Sequence, residues 1–153
     1  MGLSSSFGMS FLKASLGSGN KIPRSGTVFL SVNDSDKDDI ISIAVSLIEI
    51  GFKIVGTHGT INKLKENGIL GDLIYKVGEG RPNIVDSIKN GLISFVINTP
   101  LGAQSRYDEE SIGRECIRNG IMTITTLSGA NALVKAIKIK EKISVKSLQE
   151  YFA

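Results

Sequence analysis

The sequence has little sulfur and little imidazole: one cysteine, Cys116, and one histidine, His58. A single thiol excludes an internal disulfide and a zinc cluster. Between Ile112 and Ile117 in an expected helix, Cys116 reads as a small buried hydrophobe. So sparse a thiol content fits a reducing compartment, the cytoplasm or a eukaryotic organelle stroma. No apolar run approaches the roughly 20 residues of a membrane span, so no membrane partner is expected. Neither sign of charge dominates. The net charge of +3 suits an anionic small ligand, and no basic tract with interleaved aromatics points to nucleic acid. A Ser-His-Asp order, a phosphate loop ending in Gly-Lys-Ser/Thr and a Gly-x-Gly-x-x-Gly turn are all missing, and neither a metal nor a cofactor is expected. Met1-Gly2 with Ser6 formally fits a myristoylation signal, but nothing nearby supplies a second anchor. The segment also lacks the apolar stretch of a secretory signal and the basic residues of a transit peptide.

What the sequence has is the balance of a globular domain: 153 residues, 41% hydrophobic and 22% charged, enough for one compact domain with a core. Phe7, Phe11, Leu12 and Leu16 recur at helical spacing over residues 5–16, an amphipathic stripe in need of a partner surface. The stretch GSGNKIPRSG then reads as a linker.

From Thr27 strands and helices alternate. TVFLSV (27–32) is a strand, and Ser35 or Asp36 is the expected cap of a helix carrying Ile40, Ile41, Ala44, Leu47 and Ile48 and ended by Gly51. FKIVG (52–56) is the second strand, followed by a short helix over 61–68. LIYKV (73–77) is the third, after which Pro82 opens a helix closed by Gly91. LISFVIN (92–98) is the fourth. The loop TPLGAQSRY leads to a helix over 108–119, and IMTIT (121–125) is the fifth strand. SGANALVKAIKI begins the last long helix, and 144–152 a short terminal one. This order predicts an α/β fold of three layers, α/β/α, with a five-stranded parallel sheet covered on both faces and right-handed connections.

In such folds ligands sit beyond the carboxyl ends of the strands, near the switch in strand order. Those ends carry Thr57-His58-Gly59-Thr60 after the second strand, Lys76 and Gly78-Glu79-Gly80-Arg81-Pro82 at the third, Asn98-Thr99 at the fourth, and Thr125-Thr126 with Ser128-Gly129 at the fifth. Hydroxyls, glycine amides, a lysine and a helix start are donors that a phosphate needs. Singly, each is an ordinary turn or cap residue; their convergence on one edge is the signal. His58 has no carboxylate or nucleophile partner in sequence and reads as a loop residue. The acidic runs at 34–39 and 108–110 read as water-facing helix starts that offset the macrodipole.

In order and spacing, LSVNDSDK, THGT, KVGEGRPNIVDSIKNG, VINTP and TTLSGANA resemble the C-terminal domain of the carbamoyl-phosphate synthetase large-subunit family, of methylglyoxal-synthase-like fold. The resemblance covers 26–152. It implies a Rossmann-like effector-binding domain over 26–153, preceded over 1–25 by the end of another synthetase domain and a linker. It further implies an allosteric part of a glutamine-hydrolysing, ATP-dependent ligase of pyrimidine and arginine biosynthesis, without chemistry of its own. The partners it implies are the catalytic domains of the large subunit, the glutaminase subunit and a nucleotide monophosphate; in bacterial members UMP inhibits and IMP activates. Carried over one by one, the effector-site positions fall on Lys37, Thr57, Thr60, Lys76, Asn98 and Thr99. A further hydroxyl expected after Thr99 is Pro100 here. Thr125 and Thr126 match a half-site that in some members contributes to ornithine binding.

The alternative is methylglyoxal synthase, an enzyme of the same fold acting on dihydroxyacetone phosphate. It uses an aspartate in a glycine-rich loop and a histidine after the fourth strand. Those positions fall near Arg81 and Arg106, and an arginine, always protonated, cannot be the base for proton abstraction.

Overall fold

A computed structural model describes residues 1–100 and 106–152. Its centre is a five-stranded sheet in the order β3-β2-β1-β4-β5, formed by β1 (Gly26–Val32), β2 (Phe52–Gly56), β3 (Asp72–Leu73), β4 (Phe95–Thr99) and β5 (Met122–Ile124). Every neighbouring pair is parallel, as the alternating pattern requires. Period-two alternation divides the core. Val28, Leu30 and Val32 of β1 join Ile40, Ile43 and Leu47 of α2 (Ile40–Ile50), Ile61 and Leu64 of α3 (His58–Glu66) and Leu133 of α6 (Leu127–Ile137). Phe29, one residue out of phase, packs on the other face with Ile84 and Ile88 of α4 (Ile84–Lys89) and with Ile112 and Cys116 of α5 (Arg106–Arg118). Both faces of the sheet are therefore covered, and side chains from every layer are buried. Cys116 is fully buried, and burial pushes its thiol pKa up.

Several boundaries differ from the sequence expectation, each for a local reason. The fourth and fifth strands begin later than 92 and 121. The residues after Gly91 and Gly120 close the preceding helices, with the Leu92 amide returning to the Ser87 carbonyl and the Ile121 amide to that of Cys116. These are the long-range bonds of a Schellman helix end, and they hold those residues out of the ladder. The third strand is two residues long and does not reach 77. Ile74 and Val77 owe their apolar character to packing on the α4–α5 face; beyond Leu73 the Ile74 amide still donates to the Gly56 carbonyl and an isolated bridge joins Tyr75 to Asn83. Asn33, not Ser35 or Asp36, caps the turn after β1, a 3-10 helix over Asp34–Asp36, and α2 starts at Ile40 without a side-chain cap. α4 opens at Ile84 and not at Pro82, with Asn83 as its cap: the Asn83 side chain accepts from the Asp86 amide while the Asp86 carboxylate accepts from the Asn83 amide. Thr126 caps α6 by accepting from the Gly129 amide at 3.1 Å. The loop expected before α5 falls largely on 101–105, outside the described residues.

The N-terminal helix α1 (Phe7–Gly17) finds the partner surface that its amphipathic stripe needs within this chain, packing on α6. The buried face is Gly8, Met9, Leu12 and Ser15, while Phe7 is 66% and Leu16 43% exposed. Met9 and Leu12 pack against Ala136. Gly8 meets the α6 backbone so closely that a Cβ there would lie 3.1 Å from the Lys135 carbonyl oxygen. Small residues on the helix permit this approach, and a stripe read from large side chains alone misses it. The C-terminal helix α7 (Leu148–Phe152) returns to the same region. The Tyr151 hydroxyl donates to the Leu3 carbonyl at 2.7 Å and accepts from Lys13 at 2.8 Å. No helix among the described residues is long and apolar enough to cross a membrane.

Candidate functional site

The order β3-β2-β1-β4-β5 reverses between β1 and β4, whose following connections go to opposite sides of the sheet. A crevice is expected outside the carboxyl ends of that pair, and one is found. Ser31 pairs with Asn98 and Val32 with Thr99, and beyond these pairs lies a cavity of about 280 Å³. Its lining includes Ser31, Asn33, Asp34, Lys76, Asn98 and Thr99.

Three of the six expected effector residues, Lys76, Asn98 and Thr99, thus line one cavity. Lys76 does so from a turn and not from a strand: its amide donates to the Glu79 carboxylate at 3.2 Å, and the Glu79 amide returns to its carbonyl. Lys37 joins the site through Asp34, with its ammonium 2.6 Å from the Asp34 carboxylate. It also lies over the first turn of α3, where a Cβ at Gly59 would come 3.1 Å from the ammonium nitrogen. The glycine of Thr57-His58-Gly59-Thr60 leaves room for that lysine.

Thr57 and Thr60 sit beneath the site. Thr60 is fully buried, accepts from the Val32 amide at 3.1 Å and lies 3.2 Å from the Thr57 hydroxyl, itself 5% exposed. Together they fix the end of β1, on which the cavity rests. His58, expected in a loop, is instead the first residue of α3, exposed and near Asn62. Thr125 lies in another cavity, of about 630 Å³, between α5 and β5. Asn98 lines both, and Thr126 serves as the α6 cap.

Asn33 is the residue that sequence reasoning missed. Its backbone and side-chain N–H groups donate to the Thr99 carbonyl and hydroxyl at 3.2–3.3 Å, clamping the ends of β1 and β4 across the switch. An Asn directly after a strand and three residues before an Asp was the available signal, since Asn33 and Asp36 bond reciprocally around the turn. The acidic run therefore does more than face water. Lys37, by hydrogen bond and charge, holds the Asp34 carboxyl below its usual range, and Lys76 adds to the effect. Burial raises the Asp108 pKa, Lys76 opposing and Glu79 reinforcing the rise. The edge thus sets two lysines among several carboxylates, with hydroxyl and amide groups at the floor. Such an arrangement can take up a compact anion by charge-assisted hydrogen bonds. Arg81 stands apart, 85% exposed and 4.0 Å from Asp86. Arg106 opens α5, and its side chain lies outside the described residues.

The family model described as "MGS-like domain" matches residues 39–125. The carbamoyl phosphate synthase large chain of Archaeoglobus fulgidus is 46% identical over 154 residues, covering 99% of this chain and 14% of that one. The corresponding chain of Nostoc sp. is 42% identical, with 99% and 14% covered. In Aquifex aeolicus the "Carbamoyl phosphate synthase large chain, C-terminal section" is 41% identical over 159 residues, covering 99% of this chain and 30% of that one. The chain thus spans 14% of the length of the first two relatives. The solved structure of ForH superposes with a TM-score of 0.51 at 15% identity, over 72% of this chain and 77% of that one, a likeness of fold alone.

Proposed function

The chain belongs to the MGS-like domain family, and from that premise we propose that it is the allosteric domain of a glutamine-hydrolysing carbamoyl-phosphate synthetase large subunit. Its ligand is a nucleotide monophosphate of the UMP or IMP type, bound through the phosphate at the β1–β4 edge. One observation carries this reading: Lys76, Asn98 and Thr99, from separate segments, line a single cavity at the strand-order switch. Lys37 pairs with Asp34, which lines the same cavity. Residues 1–25 are the end of the preceding synthetase domain and its linker, and the remainder is the effector domain. The domain performs no chemistry itself. An effector that prefers one conformation of the whole synthetase biases ligand affinity elsewhere by about 1–3 kcal/mol, and so controls carbamoyl phosphate supply to pyrimidine and arginine synthesis. The partners are the catalytic domains and the glutaminase subunit.

Against a methylglyoxal-forming enzyme stands Arg81, near which the position of the catalytic aspartate falls; it faces solvent and cannot act as a base. Calorimetry with UMP and IMP on the wild type and Lys76→Ala tests the reading. Losing one charge-assisted contact to a phosphate dianion lowers affinity about 10- to 100-fold. Equal affinity in the two proteins would move the site elsewhere, and methylglyoxal formation from dihydroxyacetone phosphate would overturn the regulatory assignment.

A further inference from the structure

Two acidic residues share the turn after β1, and the structure gives them different work. Asp36 is part of the turn: its carboxylate accepts from the Asn33 side chain at 2.8 Å, and its amide donates to the Asn33 side-chain oxygen. Asp34 has no such task. Asp34 is among the residues that line the cavity, and its carboxylate meets the Lys37 ammonium at 2.6 Å, yet its side chain is 94% exposed while that of Lys37 is only 26% exposed. Charge holds it there, not packing. Lys76 lies close enough for its charge to act on the same carboxyl.

A carboxylate of the chain therefore pairs with Lys37 beside the cavity that Lys76 lines, the site read above for an anion. We propose that Asp34 is an internal competitor for that site: in the free protein it neutralises Lys37 at the side of the cavity, and an incoming phosphate binds by displacing it. This rests on the reading of the edge as a phosphate site and adds how that site is tuned. A phosphomonoester brings nearly two negative charges and three acceptor oxygens, against one charge on the aspartate. The dianion wins the lysines. A monoanionic carboxylate ligand meets an equal already in place, so the device selects for phosphate. The Asp34 side chain is free to turn away, because the side-chain hydrogen bonds that shape the 3-10 turn run through Asn33, Ser35 and Asp36, and Asp34 contributes only its backbone carbonyl.

The test is titration of inorganic phosphate into the whole chain, followed by backbone amide NMR shifts at residues 31–37 and at Asn98. The wild type is compared with Asp34→Asn, Lys76→Ala and Glu49→Gln. Glu49 pairs with Lys138 at the opposite end of α2 from the cavity, so its variant makes the same change in net charge away from the site. Removing an exposed competing charge should tighten phosphate binding about threefold to fivefold in Asp34→Asn. That gain should shrink at high salt, where exposed charges are screened within a few ångströms, and Glu49→Gln should match the wild type. Phosphate binding that is lost in Lys76→Ala but unchanged or weaker in Asp34→Asn would overturn the competitor and leave the site standing. An equal gain in Glu49→Gln would also overturn it, as an effect of net charge. Absence of phosphate binding in both the wild type and Asp34→Asn would remove the site and the competitor together.

Discussion

Replacing Thr60 by valine keeps the volume of the side chain and removes one hydroxyl. Thr60 is fully buried, and its oxygen accepts from the Val32 amide at 3.1 Å. Val32 is itself 8% exposed, so water cannot readily take the place of that acceptor. An orphaned buried amide costs about 1–3 kcal/mol. The Thr57 hydroxyl, 3.2 Å from Thr60 and 5% exposed, loses its neighbour as well. Burying a methyl in place of the hydroxyl offsets roughly 0.8 kcal/mol. The expected net loss for Thr60→Val is therefore about 2 kcal/mol. Thr60→Ser keeps the acceptor and gives up one methyl, for about 1 kcal/mol. Urea unfolding of the wild type and both variants measures this, with an unchanged slope and a lower midpoint. In a chain of this size, 2 kcal/mol lowers Tm by about 4–8 °C. A loss below about 0.5 kcal/mol for valine, or a smaller loss than for serine, would refute the claim that Thr60 fixes the end of β1.

Gly59→Ala should separate stability from binding. The new methyl meets the flexible end of Lys37 at 3.1 Å, so the fold tolerates it and helix propensity favours it, while phosphate binding measured by calorimetry weakens as Lys37 is pushed aside. Equal affinity would show that Lys37 plays no part in the site. The Asp34 carboxyl, held low mainly by Lys37, should titrate below the ordinary carboxylate range in carbon-detected NMR and rise toward it in Lys37→Met. Because the folded value is depressed, the pair's contribution to stability is present above the ordinary aspartate pKa near 3.8 and is lost as pH falls through the lower folded value. An Asp34 pKa unmoved by Lys37→Met would dissociate the pair.

The layers of this fold were legible because each strand alternates in phase with its own core. Val28, Leu30 and Val32 go to one face and Phe29 to the other, a pattern carried by neighbouring residues. The strand starts were less legible, since Leu92 and Ile121 are apolar and adjacent to strands yet serve helix closure through the chain behind them. The face of α1 was half legible: Phe11 and Leu12 pack as their spacing predicts, but Gly8 and Ser15 are buried beside Met9 and Leu12, and hydrophobic periodicity does not register small residues. Of the polar residues read at the expected strand ends, Lys76, Asn98 and Thr99 line one cavity, although Lys76 does so from a turn. The parts played by Asn33 and Asp34 depend on the pairing of Val32 with Thr99 and on the path of a 3-10 turn. Both are fixed only when distant segments meet.

The close meeting of α1 and α6 has a mechanical meaning. α6 starts at its cap Thr126, at the carboxyl end of β5, and runs back 11 residues to Ile137, a stiff rod of about 16 Å at 1.5 Å per residue. Near its far end, Ala136 is buried under α1 and the Lys135 carbonyl lies directly against Gly8. A tilt of about 5° pivoting at Thr126 carries that far end through roughly 1.4 Å, from the same helical rise. Backbone faces backbone at Gly8, and no long side chain lies between them to flex and absorb the motion. α1 must travel with α6, so a tilt of α6 about its capped end is passed directly to α1.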